Sequence, residues 1–428
     1  MAGTNDYFRE KRKSILRRQI IRGDSWEETE GKGVSGPTMV SGTDTEALDR
    51  SLFYYHRKKI VGILLLAASL AVCGLVFWLY QGSKTFSGHS VLWQKSLEGG
   101  SMASYTGFGG YILRYGRDGA VCYDRTGEVV WNQSFEMKKP IVDISGGYAV
   151  FADQQGYTIY ICDASGCVGN VTTNWPITRV QVASQGVVAA ILENTRSNQI
   201  VFYDKNGTAL DIELKTLIEE YGYPMDIGIS PDGQQLAVAY IYMDAGSMMN
   251  KVVFYNFEVG KNRQDRVVGI FMEYHNAMVG EVTFLGNEHA CAFADDRVDF
   301  YSLKNALSPE LAQSVTYDGR NILSVFHSDS HAGVVVEGDG SDGTRQLYVY
   351  NAAGQELFVK PVAMAYNQVE FSGDYLLLYN DTNCVIYDMG GAQIYQGSLN
   401  GTISKCISIS RSRLFQVGGQ VLSEIELN

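Results

Sequence analysis

Proline is scarce, 7 in 428 residues, and so are tryptophan at 5 and histidine at 6. With so little proline and no Gly-X-Y period, the chain is neither collagen-like nor a polyproline rod. Charged residues make up 19% and apolar residues 45%, a balance that excludes global disorder. Lys and Arg number 35 against 47 Asp and Glu, a net charge of −12. That argues against nucleic acid as a partner, because phosphate binding needs clustered cations. There is no Gly-x-Ser-x-Gly, no phosphate-binding loop and no His-Glu-x-x-His. What is abundant is Tyr, at 27, and Gly, at 46, which leans toward β structure with many turns.

One long apolar run stands out, Ile60 to Tyr80, 21 residues without a charge. At about 1.5 Å per residue a helix of this length spans roughly 30 Å, the thickness of a bilayer core. Tyr54, Tyr55, Trp78 and Tyr80 flank it as interfacial aromatics do. His56-Arg57-Lys58-Lys59 abuts its start, and only Lys84 and Lys95 follow before residue 100. The positive-inside rule then predicts a cytoplasmic N-terminus and an extracytoplasmic C-terminal region. Residues 1–59 carry 12 Lys/Arg and 9 Asp/Glu, leaving −15 for the rest of the chain. The expected domains are a basic, largely disordered tail and linker over 1–59, a transmembrane helix over 60–80, a linker over 81–88 and an outer domain over 89–428. Within the tail, residues 6–22 read either as an amphipathic helix on anionic lipid or as a solvated basic tail.

The outer domain repeats. An apolar stretch ending in Tyr and a polar residue recurs before a Gly-rich turn, with the polar residue at Asp124, Asp163, Asp204, Asn256, Ser302, Asn351 and Asp388. The spacings are 39, 41, 52, 46, 49 and 37 residues, the period of a four-stranded propeller blade. Asp/Asn-x-x-Gly supplies tight reversals, and the flanking Val/Ile/Tyr/Phe runs suit pleated surface. The last unit shows only three strands, beginning at Lys405, Arg413 and Gln420. Val91–Leu97 is an orphan strand just beyond the apolar run, and pairing it onto those three would close a ring without free edges. The expected fold class is therefore all-β: a β-propeller of eight blades, with seven as the alternative, closed by N- and C-terminal strands and preceded by one transmembrane helix. Leu210, Leu214, Leu217, Ile218 and Tyr221 have helical spacing before Gly222, which predicts a short amphipathic helix, and 305–313 reads as another helical turn.

Asp124-Arg125-Thr126-Gly127-Glu128-Val129-Val130-Trp131 resembles the blade motif of quinoprotein-like propellers, in which a Trp docks between blades. Ile229-Ser230-Pro231-Asp232-Gly233 is similar to the strand-turn of WD40-like and TolB-like propellers. Together with the basic tail and single span, the chain resembles uncharacterised membrane-anchored propeller proteins of Gram-positive anaerobes such as clostridia. The Trp position is kept in the first blade alone; its equivalents are Leu210, Phe358 and Tyr395.

Several chemistries fail against the residues. A quinone cofactor would need stacked tryptophans, and only Trp93, Trp131 and Trp175 follow the span, so no cofactor is expected. His327 and His331 flank Asp329 but follow a strand-like run, which reads as a polar turn rather than a metal site. The segment 337–343 is acidic and Gly-rich yet lacks the closing Glu of a calcium loop. Cys162 and Cys167 flank a hairpin tip and read either as a disulfide or as two small apolar residues.

The hairpins between second and third strands share one end of the ring and hold nine acidic residues against three basic. The candidate partner-binding residues are Asp244, Met248 and Met249 on one hairpin, Asp295, Asp296 and Arg297 on the next, and Asp339 and Asp342 on a third. Their charge and adaptable methionines predict a surface for a protein or cell-envelope partner. The expected function is a non-catalytic binding or scaffolding platform at the cell surface. The alternative is a propeller enzyme acting on carbohydrate or lactone in the central channel; there, convergent Asp, Glu and His with perturbed pKa values would favour the enzyme.

Overall fold

A computed structural model describes residues 61, 63–74 and 84–428, apart from 98–102, 259–263, 275–276 and 339–342. The chain divides into two units, Met1–Tyr80 and Gln81–Asn428. In the first, residue 61 and residues 63–74 are helical. Among the described residues no helix is long and apolar enough to cross a membrane. The remainder of the 60–80 run and the whole 1–59 tail lie outside the described residues.

The second unit is built of eight four-stranded antiparallel sheets, so the count is eight blades rather than seven. Seven of them are continuous in sequence: Ser104–Ser134, Pro140–Thr172, Ile177–Leu217, Tyr223–Phe271, Val279–Thr316, Ile322–Val362 and Gln368–Ser398. The eighth combines Lys405–Ser410, Arg413–Gly418 and Val421–Leu427 with His89–Ser96 as its outermost strand. His89 pairs with Leu427 and Ser96 with Val421, which places both chain ends in one sheet. Eight hydrophobic clusters fill the seams between neighbouring blades. The one that completes the circle packs Ile112, Val121 and Tyr123 of blade one against Phe415, Val417 and Leu422 of blade eight.

The repeated polar residue has a local cause. It ends the third strand and its side chain closes the turn into the fourth. Asp204 Oδ1 accepts the Asn206 and Thr208 N–H groups at 2.9 and 2.7 Å, and Asp388 Oδ1 those of Gly390 and Ala392 at 3.0 and 2.9 Å. The same oxygen serves at Asp124 and Asn351. The turn glycine does more than reverse the chain. Gly391 has φ +78°, and a Cβ there would sit 2.7 Å from the Phe358 ring of the preceding blade. Gly127 likewise lies under Trp93 of blade eight. The aromatic that docks on blade one's turn is therefore Trp93, while Trp131 fills the seam between blades one and two.

Two expectations fail. Ala209–Leu217 is the outer strand of blade three, and helix is confined to Ile218–Tyr221. Leu210, Ile212, Leu214 and Thr216 alternate inward, a period of two that the polar Thr216 disguised. Glu310–Thr316 is also an outer strand, exposed along nearly all its length, so it carries no alternation to read.

Candidate functional site

Antiparallel four-stranded blades present two rims. The upper rim gathers the second-to-third hairpins and the connections between blades. The lower rim gathers the first-to-second hairpins and the Asp/Asn-x-x-Gly turns, and the chain enters the ring there, at His89.

The described candidate residues fall on the upper rim. Met243 pairs with Met248 and Asp244 with Ser247 at the tip of blade four's long hairpin. Met243 and Met248 are 68% and 52% exposed, Asp244 is exposed and Met249 half-buried. On blade five, Asp295 Oδ1 accepts the Met278 N–H at 3.1 Å, and Arg297 holds Asp296 through two bonds of 2.8 and 2.9 Å. Asp339 and Asp342 lie outside the described residues. The structure adds Met272 and Met278, exposed on the connection leading into blade five, and Leu323, exposed near the start of blade six's inner strand. Exposed apolar side chains on the lower rim, such as Val129, Val168 and Leu357, are instead dispersed around the ring. Between blades five and six the upper rim opens into a groove of about 410 Å³. Met278, Phe293, Ile322, Leu323, Glu281 and Asp295 line it.

A second arrangement escaped the sequence reading. Each blade's inner strand has an unpaired edge, and polar side chains of neighbouring inner strands stitch these edges together. Asp143 accepts the Val182 N–H at 2.7 Å, Gln181 that of Ile229 at 3.2 Å, and Asp226 that of Val282 at 2.9 Å. Ser372 Oγ takes the Ser408 N–H at 2.8 Å. Arg179 lies 3.4 Å from Asp226, His327 Nε2 lies 3.1 Å from Glu281, and Lys405 pairs with Glu370. The signal that could have revealed them is a single charged residue inside an otherwise uncharged inner strand: Asp143, Asp226, Glu281 and Glu370.

Packing shifts the protonation of Asp143, Asp226 and His327. Burial pushes the Asp226 carboxyl up to about 7 and that of Asp143 up to about 6, outweighing the backbone N–H groups that favour the ionised form. Burial lowers His327, but the hydrogen bond and charge of Glu281 and the charges of Asp143 and Asp226 raise it on balance. Carboxylates and a histidine thus share the ring interior. Among the described residues no group of three or more His, Cys, Asp or Glu could hold a metal ion.

A family profile matches residues 82–427, which is the whole propeller. The chain belongs to the DUF5711 family. DUF5711 is described as a family of unknown function. No curated protein matches the chain. Among solved structures this DUF5711 propeller is similar to Saccharomyces cerevisiae Sqt1, with a TM-score of 0.52 at 11% identity over 81% of this chain and 99% of that one. BamB from Moraxella catarrhalis gives a TM-score of 0.45 at 12% identity, covering 79% of this chain and all of that one. Chaetomium thermophilum Sqt1, solved bound to the N-terminus of a ribosomal protein, gives 0.48 at 12% identity over 74% and 93%. At such identities the likeness is one of fold, and function has to be argued from the site.

Proposed function

We propose that this DUF5711 protein is a membrane-anchored, extracytoplasmic propeller that serves as a non-catalytic binding platform for a protein partner. The observation that carries the reading is the concentration of exposed Met243, Met248, Met272, Met278 and Leu323 on one rim, over three consecutive blades and beside acidic side chains. Soluble surfaces rarely gather apolar side chains without a use for them, and methionine adapts to varied partners.

Anchoring is supported by the uncharged run 60–80, whose helical part exposes Ile63, Leu64, Leu65, Leu66, Leu70 and Val72 all round. Basic residues before the run and the acidic balance after it support an inner tail over 1–59 and an outer propeller over 89–428. The Cys162–Cys167 disulfide supports an oxidising compartment for the propeller.

Photo-crosslinking in living cells tests the platform. A photoreactive residue replacing Met248 or Leu323 should yield a defined protein adduct, and one replacing Val168 on the other rim should not. Equal adducts from both rims, or none from either, would count against it.

A second reading, the carbohydrate- or lactone-acting enzyme, is favoured by Asp143, Asp226, Glu281 and His327 inside the ring. The platform is preferred because Asp143 and Asp226 each accept a neighbouring blade's N–H, and Glu281 is paired with His327. Hydrolysis of glycoside or lactone substrates by the native chain, lost in Glu281→Gln, would reverse that preference.

A further inference from the structure

The groove between blades five and six has an apolar wall and an acidic mouth. Met278, Phe293, Ile322 and Leu323 supply the wall, and Asp295 and Glu281 the carboxylates. At about 410 Å³ it is large enough to bury one long side chain with part of its neighbours. Asp295 is fixed at the groove by the Met278 N–H. Glu281 lies toward the ring interior, against His327.

The surrounding rim is also negative in character. Glu273, Asp318 and Glu337 lie on the adjoining connections and hairpin. The cations nearby are engaged within the fold. Arg297 is held by Asp296, Arg320 donates to the Tyr317 carbonyl and the Tyr348 hydroxyl, and Arg345 stacks over the Tyr366 ring. An occupant complementary to this surface brings positive charge at the end of an apolar stem. Lys and Arg side chains are built that way, burying their methylenes while the head stays with a carboxylate.

We propose that this groove takes a Lys or Arg side chain from a basic amphipathic segment of a protein partner. The segment's apolar face then covers Met248, Met272 and Met278 on the neighbouring blade tips, in the manner of a helix laid on a methionine-lined surface. This deepens the platform reading and rests on it.

The test uses the full-length chain in neutral-lipid nanodiscs, with empty discs as background. The probe is a fluorescein-labelled 16-residue Lys/Leu peptide with helical amphipathic spacing, followed by anisotropy. Leu323→Asp and Asp295→Asn should each weaken binding about tenfold, while Asp374→Lys on the lower rim should leave it unchanged. Both substituted residues lie at the surface, and Asn at 295 still accepts the Met278 N–H, so the fold is retained. Wild-type affinity in Leu323→Asp and Asp295→Asn, or equal binding of a scrambled peptide of the same composition, overturns the proposal. So does concentration-dependent self-association that both variants abolish, which would make a second copy the occupant. If crosslinks still arise from Met248 and Leu323 while the peptide shows no preference for the groove, the platform stands and the basic partner falls; loss of the rim crosslinks removes both.

Discussion

The Trp93 indole N–H donates to the Glu424 carboxylate at 2.7 Å, joining residues 331 positions apart. The ring also packs near Phe415, with centroids 6.1 Å apart, and lies over Gly127 of blade one. One side chain therefore touches the first strand's partner, the blade's second strand and the next blade, so ring closure concentrates there.

Trp93→Ala should cost about 2–3 kcal/mol, through lost aromatic burial and the loss of the donor to one oxygen of a carboxylate whose other oxygen lies 3.5 Å from Arg413. Leu92→Ala, on the exposed side of the same strand, should cost less than about 0.5 kcal/mol. Urea unfolding of the two variants measures the contrast; matching midpoints would refute a special role for Trp93.

Gly391→Ala meets two obstacles, a left-handed φ and a Cβ driven into the Phe358 ring. Gly373→Ala meets the first alone, since nothing lies within 4 Å of its added Cβ. The expected losses are about 3 kcal/mol and about 1 kcal/mol. Thermal melting of both separates docking between blades from simple turn strain.

Stability should fall as pH rises from 5.5 to 8. Asp226 and Asp143 bind a proton more tightly folded than unfolded, because burial lifts them from 3.8 to about 7 and about 6. The stability this confers is complete below the unfolded value and is lost as pH climbs through the folded one. His327, raised from 6.5, contributes in the same sense, complete below 6.5 and lost above it. Asp204, held low by the Thr208 N–H, acts oppositely, its contribution present above 3.8 and lost as pH falls below it. Asp226 alone accounts for about 2 kcal/mol across the window. Asp226→Asn keeps an acceptor for the Val282 N–H and should flatten the profile; an unchanged slope in that variant would contradict the assignment.

The Cys162–Cys167 bond closes a short hairpin, a sequence separation of 5. Its reduction should cost about 2 kcal/mol, since little loop entropy is at stake. Alkylation of intact cells followed by mass spectrometry should find this pair blocked, while Cys122, Cys291, Cys384 and Cys406, all free, become labelled after unfolding. A freely alkylated pair would speak against an oxidising compartment.

Much of the fold was legible because its cues are local. The turn carboxylate at Asp204 or Asp388 bonds within four residues of itself, so it leaves a repeating mark. The orphan strand, read as Val91–Leu97 and found as His89–Ser96, announced its pairing because blade eight was otherwise one strand short. The outer strand Ala209–Leu217 was misread because Thr216 interrupts its apolar alternation while Leu217 and Ile218 mimic a helical face. Of the candidate surface, the hairpin tips at Asp244–Met249 and Asp295–Arg297 were visible. Met272, Met278 and Leu323 were not, since the connection that holds the two methionines carries no period and Leu323 is one exposed apolar residue in an inner strand of mixed burial.

By itself the sequence determined a ring of four-stranded sheets and the order in which they follow, because hydrophobic alternation and turn chemistry act over a few residues, and the structure decided for eight sheets over seven. Only tertiary structure decided which inner strand's carboxylate would receive which amide, as with Asp143 and Val182 or Asp226 and Val282. Those partners lie 39 and 56 residues apart, and nothing in either strand encodes the other until ring closure brings their unpaired edges side by side.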